Sequence, residues 1–231
     1  MKSTSIQPSS LAFLQKLKNN NNREWFKLHK GGYDKARENI AMVADEILKK
    51  LSQVDHLSTE SGTKSLYRVY RDVRFSKDKT PYNLWYSGYF RRATEGLRGG
   101  YYFNIQANGS SSIAGGFWGP NKEDLKLLRE QIALDEQPLR AALNSKEGLQ
   151  IFGKMEGVQL KTAPKGWDKN HPSIDLLRYK QFILRRPITE KELLSSDYVE
   201  IVVESYKAMR PFLDAMSMYL TTDLNGESTL S

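Results

Sequence analysis

Cysteine is absent from the 231 residues, which excludes disulfides and thiolate metal sites. No apolar run approaches the roughly 18 residues of a membrane-spanning helix, so no membrane partner is expected. The opening Met-Lys-Ser-Thr-Ser-Ile-Gln-Pro lacks the apolar core of a signal peptide, and the expectation is a cytoplasmic protein. The three histidines, His29, His56 and His171, are far apart in sequence. A histidine-only metal site is therefore not expected, and a carboxylate site stays open. The chain carries no Gly-x-x-x-x-Gly-Lys-Ser/Thr loop, no Gly-x-Gly-x-x-Gly after a strand, no Gly-x-Ser-x-Gly elbow and no His-Glu-x-x-His. Ser61/Lys64 and Ser76/Lys79 fit Ser-x-x-Lys, but neither opens an expected helix, so no catalytic residue or cofactor is assigned. No Pro/Gly/Ser-rich linker and no internal repeat divides the chain, which predicts a single domain over residues 1–231.

What is present is ordinary globular material, 39% hydrophobic and 27% charged, ample for a core. The net charge is +8, and it is unevenly placed. Between Lys64 and Arg92 stand eight Lys or Arg against Asp72 and Asp78 only, a balance of +6. Eight aromatic residues share that window. From Thr189 onward eight acids face Lys191, Lys207 and Arg210, a balance of −5. The positive potential is thus local, which favours a site over a general solvating coat.

Taken in order, Ser9 or Ser10 caps an expected first helix with Leu11, Leu14 and Leu17 on one face. Asn22 caps a short helix over residues 23–29, which Gly31-Gly32 is expected to end. A longer helix over residues 33–52 buries Ile40, Val43, Ala44, Ile47, Leu48 and Leu51. The period then changes to two. Strands are predicted at residues 66–75, 82–90, 99–107 and 111–118, with Asn108-Gly109 as a hairpin turn and Gly115-Gly116 as a bulge or close approach. Helices return after Pro120, with an edge strand at residues 182–188, a capping box at Thr189 to Glu192, and a long final helix that Pro211 kinks or breaks. The fold class is α+β: an antiparallel meander over about residues 66–118 packed against N-terminal and C-terminal helices.

In strand form, Arg68 and Arg74 share a face with Tyr70 and Asp72. Arginine presents a planar fork that matches phosphate or carboxylate oxygens in pairs, and Lys77 and Lys79 add point charges in the following turn. A second basic segment, residues 161–180, brings Lys165 and His171, the best-placed general acid or base. The anion-binding candidates are therefore Arg68, Arg74, Lys77, Lys79, Lys165 and His171. Arg71, which alternation sets among Val69, Val73 and Phe75, needs a carboxylate. It is assigned with Asp72, Asp78 and Tyr82 to a structural network.

The pattern Arg68-x-x-Arg71-Asp72-x-Arg74-Phe75-x-x-Asp78-Lys79-x-x-Tyr82 resembles the signature of the bacterial family known as domain of unknown function 2461. The likeness extends to the Asn-x-Arg-Glu-Trp-Phe segment from Asn21 or Asn22 through Phe26, Gly115-Gly116-Phe117-Trp118, Pro164-Lys165-Gly166 and His171-Pro172. Asn83 stands where the family often has lysine, so charge at that position is not essential. The resemblance implies a single-domain protein of about this size and brings no activity, cofactor or catalytic residue with it. Three readings stay open: a pocket for a phosphorylated or carboxylated small ligand, whether or not chemistry follows; a nucleic-acid-binding module that stacks bases on Tyr70, Trp85 or Tyr86; and a structural or partner-binding protein with internally paired arginines. The oligomeric state is not legible.

Overall fold

A computed structural model describes residues 5–230; the first four residues, part of the opening read above as no leader, and Ser231 lie outside that range. The fold is α+β. Four strands, β1 (Trp85–Arg91), β2 (Gly100–Gln106), β3 (Ser112–Phe117) and β4 (Phe182–Pro187), form one antiparallel sheet in the order β1-β2-β3-β4. The Asn108-Gly109 turn joins β2 to β3, with Gly109 at φ +77°, a backbone region open to glycine. β4 lies at the sheet edge, where Pro187 at its end costs no ladder bond.

Two compact units divide the chain. The first takes the residues up to Arg91, Tyr102–Ile113 and Pro187–Glu204. Its helices are α1 (Pro8–Asn19), α2 (Arg23–Leu28), α3 (Lys30–Leu51) and the four-residue α4 (Gly62–Ser65). α1 and α3 pack through Leu11, Leu14 and Leu17 on one side and Ile40, Val43, Ala44, Ile47 and Leu51 on the other, all buried. Asn39 of α3, buried at that seam, has every polar atom used. Its Oδ1 accepts from Gln7 N–H at 2.9 Å and Ser10 Oγ at 3.0 Å, and its Nδ2 donates to Ser5 O at 2.9 Å.

The second unit takes Arg92–Tyr101, Ala114–Arg186 and the chain from Ser205 on. It holds α5 (Lys122–Leu134), α6 (Gln137–Leu143), α7 (Lys146–Phe152) and α8 (Ile174–Leu177). α9 (Glu190–Leu193), opened by the Thr189–Glu192 capping box, belongs to the first unit, and α10 (Tyr198–Thr221) contributes to both. In the second unit α10 buries Tyr206, Met209, Phe212, Leu213 and Met216. The close approach expected at Gly115-Gly116 is present. A Cβ on Gly115 would lie 2.2 Å from Met209 Sδ, and one on Gly116, at φ +128°, would lie 2.1 Å from the Phe182 carbonyl oxygen.

Five local expectations are corrected. Neither Ser9 nor Ser10 caps α1, which opens at Pro8 with Gln7 as its N-cap and no side-chain cap bond. Gly31 and Gly32 do not end α2; they fall in the first turn of α3, because His29 already closes α2 through its N–H to Trp25 O at 3.0 Å. Pro211 does not break α10, which continues from Tyr198 to Thr221 with Pro211 exposed on its surface. Ser61 does cap a helix, its hydroxyl accepting from Lys64 N–H at 3.2 Å at the start of α4. The largest change is at residues 66–75, where no regular strand forms.

In place of a strand, residues 66–84 make a loosely paired arm. Isolated antiparallel bridges join Leu66 to Gly88 and Tyr70 to Tyr82, with single bonds from Tyr67 N–H to Ser87 O and Arg71 N–H to Pro81 O, each 2.9 Å. Side chains compete for the backbone. Asp72 Oδ1 accepts from Arg74 N–H at 3.2 Å, Asp78 Oδ1 accepts from Thr80 N–H at 2.9 Å, and Pro81 has no N–H to give. The two-residue alternation fails with the ladder: Val69 is buried, while Phe75, expected on its face, is 97% exposed.

Candidate functional site

The arm is fastened to the helical layer by uncharged groups. The α2 cap places Asn21 beside Tyr82, and its amide acts as a piece of strand. Nδ2 donates to Tyr82 O at 2.9 Å, and Oδ1 accepts from Tyr82 N–H at 3.1 Å. Phe26, the buried face of α2, stacks on the Tyr82 ring with centroids 4.0 Å apart. Tyr82 is thus buried and carries the arm.

Beyond that anchor, residues 71–80 close on themselves. Arg71 Nη1 donates to Asp78 Oδ2 at 2.6 Å, to the Thr80 carbonyl at 3.0 Å and to the Thr80 hydroxyl. The Thr80 backbone N–H, then Arg71, hold the Asp78 carboxyl down at about 2. Arg74 forks onto Asp72, Nε to Oδ1 at 3.0 Å and Nη2 to Oδ2 at 2.7 Å, which depresses the Asp72 carboxyl. That pair is open to solvent, with the Arg74 side chain 76% exposed. Lys79 Nζ donates to the carbonyls of Val73 at 2.9 Å and Arg74 at 3.4 Å. Arg68 and Lys77 have no ion-pair partner among the described residues, and both are exposed.

At the base of the arm, within the first unit, a cleft of about 330 Å³ opens beside β1. The chain meets the end of β1 at Ser58 and Thr59, where Ser58 N–H donates to Arg91 O and Arg91 N–H to Thr59 Oγ1, each at 2.9 Å. It leaves through α4 and returns at Leu66, bridged to Gly88. The cleft lies within that detour. Gly62 lets α4 sit hard against α3: a Cβ there would stand 2.1 Å from the Ala41 carbonyl oxygen, and its N–H donates to Asp45 Oδ1 at 2.6 Å.

Lys64 and Arg91 both line the cleft, with Thr59, Tyr67 and Tyr89. Neither cation has an ion-pair partner among the described residues, and Glu60 is the one carboxylate in the lining. Partial burial raises the Tyr67 phenol, Tyr102 adding to the effect and Arg91 opposing it, so Tyr67 is a neutral donor at physiological pH. Two cations, a phenol and a threonine hydroxyl facing one opening form a donor-rich site matched to an oxyanion.

Lys165 and His171 belong to the second unit. Lys165 is exposed. His171 shapes a turn, its Nδ1 accepting from Ser173 N–H at 3.1 Å while its ring meets Trp167 edge to face at 5.6 Å. Arg92, counted in the basic window, is buried in that same unit against Asp214 and Ser217. Among the described residues no cluster of three or more His, Asp or Glu is placed to hold a metal ion, and no helix is long and apolar enough to cross a membrane. In the sequence Lys64 and Arg91 count only toward the charge of the 64–92 window, and neither is among the anion-binding candidates. The signal that joins them is the Leu66–Gly88 register, which no periodicity reveals once the strand is irregular.

A family model described as "Conserved hypothetical protein (DUF2461)" matches residues 9–214. That span includes the arm, the cleft and both basic segments. No curated protein and no solved structure gives a significant match.

Proposed function

We propose that this chain, which belongs to the DUF2461 family of conserved hypothetical proteins, binds a small phosphate- or carboxylate-bearing ligand in the cleft at the base of its basic arm. The observation that carries this reading is the pairing state of the cations. Of the eight in the 64–92 window, Arg71, Arg74 and Arg92 are ion-paired and Lys79 is bonded to carbonyls. Among the described residues Lys64 and Arg91 have no ion-pair partner, and both line one concavity. An uncommitted guanidinium beside an ammonium and a neutral phenol satisfies an oxyanion without first breaking an internal bond. Arg68 and Lys77 add long-range attraction along the arm.

The test is a thermal-shift and calorimetry panel of inorganic phosphate, nucleotides, sugar phosphates and dicarboxylates at low and moderate salt. A ligand at 100 times its dissociation constant stabilises by about 2.7 kcal/mol. One class is expected to stabilise the protein and to persist in salt, and Arg91→Ala and Lys64→Ala are expected to remove the shift while leaving the unliganded melting temperature near wild type. A shift that survives both substitutions refutes the cleft as the site, and a flat panel refutes small-anion binding.

A further inference from the structure

We propose that the arm carries a second binding surface, separate from the cleft, on which Tyr70 and Phe75 stack against the bases of a single-stranded nucleic acid while Arg68 and Lys77 take its backbone phosphates. The starting observation concerns where rings meet solvent. Among the described residues the exposed aromatic side chains are Tyr67 at 56%, Tyr70 at 56%, Phe75 at 97% and Trp85 at 37%. All four fall between positions 67 and 85, the stretch that also holds the exposed Arg68, Arg74, Lys77 and Lys79. One exposed ring needs no explanation, but a confined group of rings interleaved with cations does. That composition is what a single strand requires: flat apolar faces for any base, and positive charge for the chain that links them.

The arm is also prepared for the task. The Asn21 amide and the Phe26 ring hold its root at Tyr82, and the Arg71–Asp78–Thr80 bonds close its tip. Rings presented on a closed loop lose little freedom on binding. Arg74 lies 5.9 Å from the centroid of the Phe75 ring, which stiffens that side chain too. A duplex is the poorer partner, since its base faces are already covered by one another. An anionic bilayer is poorer as well, because seating Phe75 in headgroups would carry the half-exposed Asp72 carboxylate into the same negative layer.

The experiment is fluorescence anisotropy of the full chain with labelled oligo-dT and oligo-U of about 16 nucleotides, across a salt series. Two phosphate contacts predict a log–log salt slope of about −1.4. Phe75→Ala and Tyr70→Ala are each expected to weaken binding about tenfold, the loss of one stacked base. Arg68→Ala with Lys77→Ala should flatten the slope. Leu134→Ala, an exposed residue of the second unit, should change nothing. The inference is overturned by absence of binding at 50 mM salt, by affinity indifferent to both ring substitutions, by a duplex binding more tightly than the single strand, or by phosphatidylserine vesicles capturing the protein where the oligonucleotides do not. Phe75 touches no core, so its alanine variant folds and the result reads on binding alone.

Discussion

Replacing Asn21 by alanine asks whether one side chain holds the basic arm to the helical layer. The substitution removes two hydrogen bonds, of 2.9 and 3.1 Å, and leaves the N–H and carbonyl of the buried Tyr82 without those partners. Each bond contributes about 0.5–1.5 kcal/mol, and Asn21 is half-buried, so water reaches part of the gap; the expected cost is about 2 kcal/mol. For a chain of this size that lowers the melting temperature by about 4–8 °C. Urea unfolding should show the same loss, with faster amide exchange at Tyr82. Asn21→Asp sharpens the test. The carboxylate still accepts from Tyr82 N–H but faces the Tyr82 carbonyl with no proton to donate, so its deficit is full at neutral pH. Protonation restores the donor, which raises the folded-state pKa of the new carboxyl, so the deficit relative to wild type shrinks as pH falls through that raised pKa and is smallest below about 4. A melting shift under about 1 °C for Asn21→Ala, or an Asp deficit that does not change with pH, would refute the latch.

Three further outcomes follow from the same geometry. Gly62→Ala puts a methyl group 2.1 Å from the Ala41 carbonyl oxygen and 2.5 Å from Asp45 N, both backbone atoms, so α4 must move; the expected cost is about 2 kcal/mol in urea unfolding, with weakened anion binding because Lys64 moves with the helix. Arg92→Ala empties a fully buried side chain that bonds Asp214 and Ser217; Asp214 keeps Arg210 at 3.3 Å and some solvent, so calorimetry should read a loss of about 3 kcal/mol, and a loss below 1 would count against the assignment. Asp78, with its carboxyl depressed from 3.8 to about 2, should stabilise the loop fully above pH 4 and cease to do so as pH falls through about 2. An NMR titration that places the Asp78 midpoint at the unperturbed 3.8 would dismiss the Arg71–Asp78–Thr80 closure.

How much of this was legible in the sequence depends on where order comes from. The helical layer was legible because Leu11, Leu14 and Leu17, and the Ile40 to Leu51 stripe, repeat at helical spacing and are buried as the spacing requires. The caps at Asn22 and Thr189 and the Gly115-Gly116 approach were legible because few residue types do those jobs. The strand expected at residues 66–75 was not, because its β-branched and aromatic content competes with Asp72, Asp78 and Pro81, which draw the backbone into local turns. Periodicity counts side chains and is blind to such bonds. The cleft was out of reach for a related reason: its two cations come to one lining beside an isolated bridge rather than a ladder.

The pairing pattern also bears on why so much arginine is gathered here. A salt-bridge lock joins elements far apart in the chain, as Arg92 does with Asp214 and Ser217. The arm's ion pairs do nothing of the kind, since Arg71–Asp78 and Arg74–Asp72 both fall within residues 71–80. They stiffen a projection and tie it to nothing else, while the groups that tie it down, Asn21, Phe26 and the Leu66–Gly88 bridge, carry no charge. Stiffening an exposed loop costs conformational entropy and buries no apolar surface in return, so folding gains little from it. Binding gains more, because a loop already ordered presents Arg68, Tyr70, Phe75 and Lys77 with less freedom left to lose. An arm built only to lock the fold would instead spend Arg68 and Lys77 on carboxylates and turn Phe75 inward. Disrupting the stiffening alone, with Asp78→Asn, therefore separates the two roles: the binding role predicts weaker association at nearly unchanged global stability, and the locking role predicts the reverse.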